Sequence, residues 1–342
     1  MKACVLVDWK KIEIMEVAKP VPKANQVLVK IIYAGVCGSD VNVFNHNHPT
    51  ATVPRIMCHE ILGTIEKINS ENKLPYVIGS RVVVFPLTWC GTCEACSEGN
   101  FHVCRNLGIL GLHKDGGFAE YVCVDADKVF AVPVDMPDEI AALTEPFAVG
   151  FHANMRACTK PGDEVLVIGG GPIGLLAAIN VKFFGASKVV VSEINLERIK
   201  LVKEFGFDVI NPNESNLIEE TKRITDGKGF DKVFEASGSQ NACAAIADVC
   251  KVRGKIVPVG IPKGLAGYKI IMIIFKEISL IGSRVYTREH FARTIGMLDK
   301  LYSSGEYDLN KIIDMILPIE KLAEAIEIQG NSKNNGKILM KF

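Results

Sequence analysis

Four cysteines fall within fifteen residues, at Cys90, Cys93, Cys96 and Cys104, spaced C-x2-C-x2-C-x7-C in PLTWCGTCEACSEGNFHVC. Four thiolates at such spacing can close a tetrahedron around zinc and leave no coordination position for chemistry, so a structural metal is the favoured role. An iron–sulfur cluster also draws on close cysteines, but the bacterial ferredoxin run has three residues in its last interval and a following proline. A nucleic-acid zinc module fits less well, since the loop carries Glu94 and Glu98 and only Arg105 as a cationic neighbour at its end. A second group of possible ligands is scattered: Cys37 in GVCGSD, His59 and Glu60 in MCHE, and Glu145 in LTEPFAVG. Singly, these read as a packed cysteine, a satisfied histidine and a helix start. Jointly they offer the soft, borderline and hard donors that zinc accepts.

The run GGGPIG, comprising Gly169, Gly171, Pro172, Ile173 and Gly174 with Gly170 between, follows an apolar strand pattern and opens a helical one. Gly169 allows the tight turn, Gly171 lets the backbone approach a pyrophosphate, and Gly174 permits close helix-to-strand packing. Glu193, nineteen residues beyond Gly174, ends the next strand, where a carboxylate accepts both ribose hydroxyls of NAD and repels a 2′-phosphate. Arg198 is the nearby feature that would tolerate NADP. The acid at the strand end makes NAD the expected cofactor.

The elements that must hold these groups change character along the chain. Up to about Phe147 the pattern is strand-like and turn-rich, as in QVLVKIIYAG, SRVVVF and FAEYVCV. From Asp163 short apolar strands (EVLVI, KVVVSE, DVI, KVFEAS, KIVPVG) alternate with amphipathic helices, which specifies a parallel sheet covered on both faces. ILPIEKLAEAIEIQ and KILMKF read as a return to the first domain. With 342 residues, two domains are expected.

Charge balances at 39 basic against 39 acidic residues, which gives no electrostatic pull toward nucleic acid or anionic lipid. Asp8, Lys10 and Lys11 interrupt the N-terminal apolar stretch before a secretory core could form. Val165–Val181, the longest nearly uncharged stretch, carries four glycines and a proline and reads as strand, turn and helix rather than a membrane span. Eleven cysteines, an odd number, suggest reduced thiols and metal ligands, hence a cytoplasmic location.

GVCGSD, the HE of MCHE followed by ILGTI, the four-cysteine lobe, LGLHKDGGFAEY, TEPFAVG and GGGPIG together resemble the zinc-dependent medium-chain dehydrogenases. Within that family the chain looks like the sorbitol dehydrogenase branch with its bacterial polyol and hexonate relatives. The resemblance implies an α/β architecture: a GroES-like, mostly β catalytic domain (1–148 and 286–342, with a structural zinc lobe at about 86–106) and a Rossmann doubly wound parallel-sheet domain (149–285). The active site would lie in the cleft between them. It further implies two zinc ions per chain, with Cys37, His59 and either Glu60 or Glu145 at the catalytic one, and Ser39 linking the bound alcohol to solvent. Arg284 in GSRVY matches an arginine near the nicotinamide or the substrate hydroxyls.

Two positions depart from the family. Asn42 stands where many relatives have a relay histidine, and asparagine cannot shuttle a proton at neutral pH. Cys58 replaces the usual glycine before His59 and is read as a space-filling residue, with a metal role as the alternative and an oxidation-sensitive thiol as the consequence of zinc loss. The implied reaction is NAD-linked oxidation of a secondary hydroxyl on a polyol or sugar acid. L-Threonine 3-dehydrogenase and secondary-alcohol or butanediol dehydrogenases are the alternative activities, and a non-catalytic nucleotide-binding protein is the alternative class. HNHPTATVPR, with Asn45, His46 and His48, is expected to border the pocket. The apolar IIMIIFKEISLIGSRV suggests sheet pairing between subunits and a homodimer or homotetramer.

Overall fold

The computed structural model describes residues 1–262, 264–331 and 334–342, which divide into two compact units, Met1–Glu145 with Thr287–Phe342, and Pro146–Tyr286. The first division falls inside one helix, Thr144–Ala157.

The first unit is organised by the eleven-residue strand Gln26–Val36, rich in β-branched residues that suit a pleated surface. One edge pairs antiparallel with Glu60–Asn69 along its length. The other edge is shared, Gln26–Lys30 pairing with Tyr121–Asp125 and Tyr33–Val36 with Lys337–Lys341. Arg81–Val84 and Val129–Ala131 extend the sheet on one side and Ile313–Pro318 on the other, giving seven strands. A three-stranded sheet, Lys11–Glu16, Lys2–Asp8 and Arg55–Ile56, stands beside it. Val27, Val29, Ile31, Ile61, Ile65, Val82 and Phe118 lie in the common core.

The register of this sheet decides which strand ends meet. Glu60 opens its strand opposite Gly35, and Ile338 lies opposite Val36. Cys37, Glu60 and Lys337 therefore mark the ends of three neighbouring strands.

In the second unit six strands run parallel in the spatial order Asp208–Ile210, Lys188–Ser192, Glu164–Ile168, Phe230–Glu235, Cys250–Pro258, Ser279–Leu280. Numbered by sequence within the unit this is 3-2-1-4-5-6, the doubly wound order whose switch point lies between the first and fourth strands. The chain crosses over through the helices Pro172–Phe183, Leu196–Glu204, Leu217–Ile224 and Gln240–Val249. Asn195 and Asn216 each cap a helix by accepting two backbone N–H groups.

One expectation is corrected here. Ile270–Phe275, expected to pair as a strand, is a short helix, and only Ser279–Leu280 forms the sheet edge. A continuous apolar run carries no period, so strand and helix cannot be told apart from it. Val165–Val181 is the buried strand, turn and helix anticipated, and no described helix is long and apolar enough to cross a membrane.

Candidate active site

The strand Gln26–Val36 delivers Cys37 as the N-cap of the helix Gly38–Phe44. Asp40, at the third position of that helix, is fully buried and accepts from two backbones: the Cys37 N–H at 2.9 Å and the Cys58 N–H at 3.2 Å. It thereby ties the Cys37 segment to the one carrying His59 and Glu60. Burial pushes the Asp40 carboxyl up, against the pull of the neighbouring His59.

Ligand atoms of Cys37, His59 and Glu60 all lie within 4.8 Å of one another. Burial acts to lower the His59 imidazole but is outweighed by the hydrogen bond to Cys37 and by the charges of Cys37, Glu145 and Asp40, so His59 is held well above its usual range. Glu60 is 1% exposed; its Oε1 accepts from Lys337 Nζ at 2.6 Å, and the same ammonium donates to the Val36 carbonyl at 2.8 Å. Gly35 makes room for this carboxylate, since a Cβ there would overlap Glu60 Oε2. Among the buried side-chain atoms that lack a hydrogen-bond partner in the described residues are Ser39 Oγ, His59 Nδ1 and Glu60 Oε2. Orphaned polar atoms clustered around a thiol, an imidazole and a carboxylate fit a divalent cation and a polar ligand. Glu145 is buried at the start of its helix, and its charge is felt by both His59 and Lys337, but it lies outside the three-residue cluster.

Cys58 occupies a left-handed backbone conformation with φ +85° and is fully buried. Its thiol donates to the carbonyls of Gly35 and Glu60 and lies outside the cluster. Gly111 and Gly116 pack against its backbone so closely that a Cβ on either would overlap it. Asn42 is exposed on the helix that Cys37 caps, and Asn45 ends that helix.

The four cysteines of the lobe come together as the spacing requires. Sγ separations are 3.5 Å for Cys90–Cys104, 3.6 Å for Cys93–Cys96 and 3.8 Å for Cys93–Cys104. A tetrahedron with zinc–sulfur bonds of about 2.3 Å has edges of about 3.8 Å, so the lobe fits that ion. Hydrogen bonds from Thr92 pull the Cys90 thiol down to about 6. Behind the lobe Trp89 stacks on Phe101 at 4.7 Å, and the buried Lys128 places its ammonium 3.1 Å from the Trp89 ring centre.

In the second unit, Gly169 has φ +101°, and a Cβ there would press on Ser237 and Ala236 at the end of the fourth strand. Gly171 caps the helix, Pro172 and Ile173 form its first turn, and Gly174 packs so that a Cβ would strike the Gly169 carbonyl. Glu193 Oε2 accepts from Gly170 N–H at 2.7 Å, while Oε1 accepts from Ile194 and Asn195 N–H at 2.7 and 2.9 Å. The acid is thus locked against the glycine loop. The Arg198 guanidinium stands 3.5 Å from where a Gly171 Cβ would be. Arg284 is exposed in the loop after the sheet edge.

Three participants were missed in the sequence. Asp40 carried a signal, an acid three residues after a helix cap. Glu235, fully buried and accepting from Ser237 and Gly238 N–H, sits at the strand end beside the glycine loop, a place the doubly wound pattern marks. Lys337 carried none, since its partner is 277 residues away.

Residues 23–134 match the alcohol dehydrogenase GroES-like domain and residues 172–300 the zinc-binding dehydrogenase domain. Over 333 residues, 97% of this chain and 96% of the relative, it is 32% identical to 2-dehydro-3-deoxy-L-galactonate 5-dehydrogenase of Pseudoalteromonas atlantica. Over 329 residues, 94% and 93% of the two chains, it is 35% identical to L-threonine 3-dehydrogenase of Rhizobium rhizogenes. The solved structure of galactitol-1-phosphate dehydrogenase from Escherichia coli superposes with a TM-score of 0.91 at 28% identity, covering 100% of both chains. The chain therefore belongs to the zinc-dependent medium-chain dehydrogenase family. It is an oxidoreductase of the zinc-binding alcohol dehydrogenase type, whose similar solved structures include ones bound to NADP and to NADH.

Proposed function

We propose that this protein is an NAD-dependent dehydrogenase oxidising a secondary hydroxyl of a polyol or sugar acid to a ketone. The observation that carries the reading is the Cys37–His59–Glu60 cluster, its histidine and glutamate buried and its cysteine half-buried, with its orphaned polar atoms. Cys37, His59 and Glu60 hold the catalytic zinc, with Glu145 as a nearby carboxylate, and Cys90, Cys93, Cys96 and Cys104 hold a structural one. When bound, zinc polarises the substrate hydroxyl as a Lewis acid and the nicotinamide accepts the hydride.

The chain's own residues do the rest. Ser39 Oγ, without a partner of its own, takes the proton leaving the substrate hydroxyl and passes it toward solvent; Asn42, on the same helix, cannot continue a relay. Lys337 holds Glu60 in place by tying down one carboxylate oxygen, which leaves the other without a protein partner for the cluster. Gly169, Gly171 and the helix N-terminus at Pro172 receive the pyrophosphate, and Glu193, fixed by three backbone N–H groups, favours the ribose hydroxyls of NAD over a 2′-phosphate. Arg284 contacts the nicotinamide end or the substrate.

The test is NADH formation across hexitols, pentitols, hexonates, L-threonine and 2,3-butanediol, with NADP in parallel and Cys37→Ser as control. A hexonate or polyol signal abolished by Cys37→Ser supports the reading. The higher identity to a threonine dehydrogenase favours a second reading. Activity on L-threonine alone would establish that one instead.

A dimer or tetramer is proposed from Ile270, Ile271, Ile274 and Phe275, all more than half exposed beside the sheet edge. A monomer in sedimentation at micromolar concentration would reject it. All eleven cysteines are free, which supports placement in the reducing cytosol; recovery in a membrane or secreted fraction would count against it.

A further inference from the structure

The proposed chemistry leaves one polar cluster of the first unit unused: His48 and Thr50, in the loop after the Cys37 helix, and His113 from another loop. The Ile109 N–H donates to His113 Nδ1 at 3.1 Å, so neutral His113 carries its proton on Nε2. That Nε2 donates to Thr50 Oγ1 at 2.8 Å. The Thr50 hydroxyl hydrogen is then available to His48 Nδ1 at 3.3 Å, and the Thr50 backbone N–H points to the same atom at 3.4 Å. With His113 in that tautomer every bond runs one way, so neutral His48 keeps its proton on Nε2, which is not used within the cluster. Because the chain starts at a backbone amide, which has no proton to pass on, it orients a donor rather than conducting protons.

The cluster is also built in place. The two imidazoles are partly buried and meet edge to face at 6.1 Å, and His46, at φ +59°, pins the loop by stacking on Trp9 at 4.0 Å. Burial holds both His48 and His113 below the usual imidazole range; His113 lowers His48 further, while at His113 the hydrogen bond with the Ile109 backbone works against burial and the Arg55 charge works with it. Arg55 pairs with Asp115 at 3.2 Å, and Lys114 is a further cation in the loop. Both loops grow from the segments that carry the metal cluster: Cys37 caps the helix leading to His48, and Gly111 packs on the backbone of Cys58, next to His59. The seven-residue helix rises about 10 Å, the scale of a six-carbon chain.

We propose that His48, oriented through Thr50 and His113, binds the anionic end of the substrate, a carboxylate or a phosphate, and selects such substrates over neutral polyols. The proposal rests on the polyol or sugar-acid reading for the other end of the same molecule.

It is tested on zinc-loaded protein with 15N-labelled histidine, His48→Gln assigning the ring signals. The probes are L-galactonate, L-threonine and galactitol 1-phosphate, with galactitol as the neutral control. At least one anion is expected to move the His48 Nε2 resonance, and galactitol is not. Thr50→Val is expected to weaken that anion about tenfold, and Thr50→Ser, which keeps the hydroxyl, to restore it. No shift with any of the three anions, an equal shift with galactitol, or Thr50→Ser behaving as Thr50→Val overturns the proposal. Turnover separates the two readings: polyol oxidation with a silent His48 removes only this inference, whereas anion binding at His48 with no hydroxyl oxidised removes only the functional one.

Discussion

Glu60 and Lys337 form an ion pair with side chains 1% and 4% exposed, and a pair so deeply buried is strong evidence of constraint and weak evidence of net stability. Burial works against the Lys337 ammonium, but Glu60, Cys37 and Glu145 hold it charged. Removing one partner strands the other, so Lys337→Met is expected to cost about 3–5 kcal/mol in urea unfolding. Adding Glu60→Gln should recover much of that loss; a double variant as unstable as the sum of both singles would refute the coupling. Lys128 behaves differently, its amine lowered from 10.5 to about 8 by burial, partly offset by Asp127 and Asp125. The unfolded lysine keeps its proton to a higher pH than the folded one, so the unfolded state binds more protons between pH 8 and 10.5 and stability rises across that window. The burial penalty is fully present below pH 8. Wild type is therefore expected to gain on Lys128→Met as pH rises from about 8 to about 10; a constant difference between the two unfolding curves would contradict it. At this scale the sequence was legible where a residue type is rare and its partners are near, as for the four cysteines. It was illegible for Lys337, one of many lysines in the chain and distinguished only by a strand register that no local pattern encodes.

At the scale of elements, the lobe contains only Glu94–Ser97 and Phe101–Val103 as helical turns, too short to persist alone in water. Its order must come from the four thiols and from the Trp89–Phe101 stack. Cys93→Ser is expected to lower bound zinc from two ions per chain to one, by metal analysis, and to make the segment around 86–106 the first site of proteolysis. An unchanged zinc content would refute the assignment. The helix Arg288–Ser304 is better supported, with Thr287 accepting from the His290 N–H at its start and Gly305 at φ +64° ending it. Gly305→Ala, forced into a left-handed conformation, should cost about 1 kcal/mol in thermal or urea unfolding. Most strands and helices of the second unit were read correctly because they are bounded by glycine or a polar residue; the strand Cys250–Pro258, which follows the helix Gln240–Val249 without a break, begins before the KIVPVG segment seen in the sequence. Ile270–Phe275 was not read correctly, because six apolar residues in succession look alike in either state.

At the scale of the molecule, the order 3-2-1-4-5-6 and the convergence of three strand ends in the first unit are products of non-local pairing. The alternation of strands and helices announced a parallel sheet and the family resemblance its doubly wound form, but no local pattern gave the strand order. Nothing in composition announced that Gln26–Val36 divides one edge between Tyr121–Asp125 and Lys337–Lys341. If the Cys37 cluster serves chemistry and the lobe serves order, as proposed, chelation is expected to abolish turnover before it unfolds the protein. Coincident loss of activity and of far-ultraviolet circular dichroism during dialysis against a chelator would contradict that division.

The two cysteine-bearing clusters proposed as metal sites also differ in when they can exist. The lobe is complete once residue 104 has been synthesised, whereas the Glu60 carboxylate waits for a lysine made 277 residues later, after the whole second unit has been translated. On the ribosome the lobe can take up metal early, while a nascent chain halted before the strand Lys337–Lys341 holds Cys37, His59 and Glu60 without the ammonium that fixes the last of them. Synthesis of the strand Lys337–Lys341 is thus the point at which the proposed catalytic cluster can reach the observed geometry, and a polypeptide stopped before it keeps the four lobe cysteines but lacks the ammonium that holds Glu60.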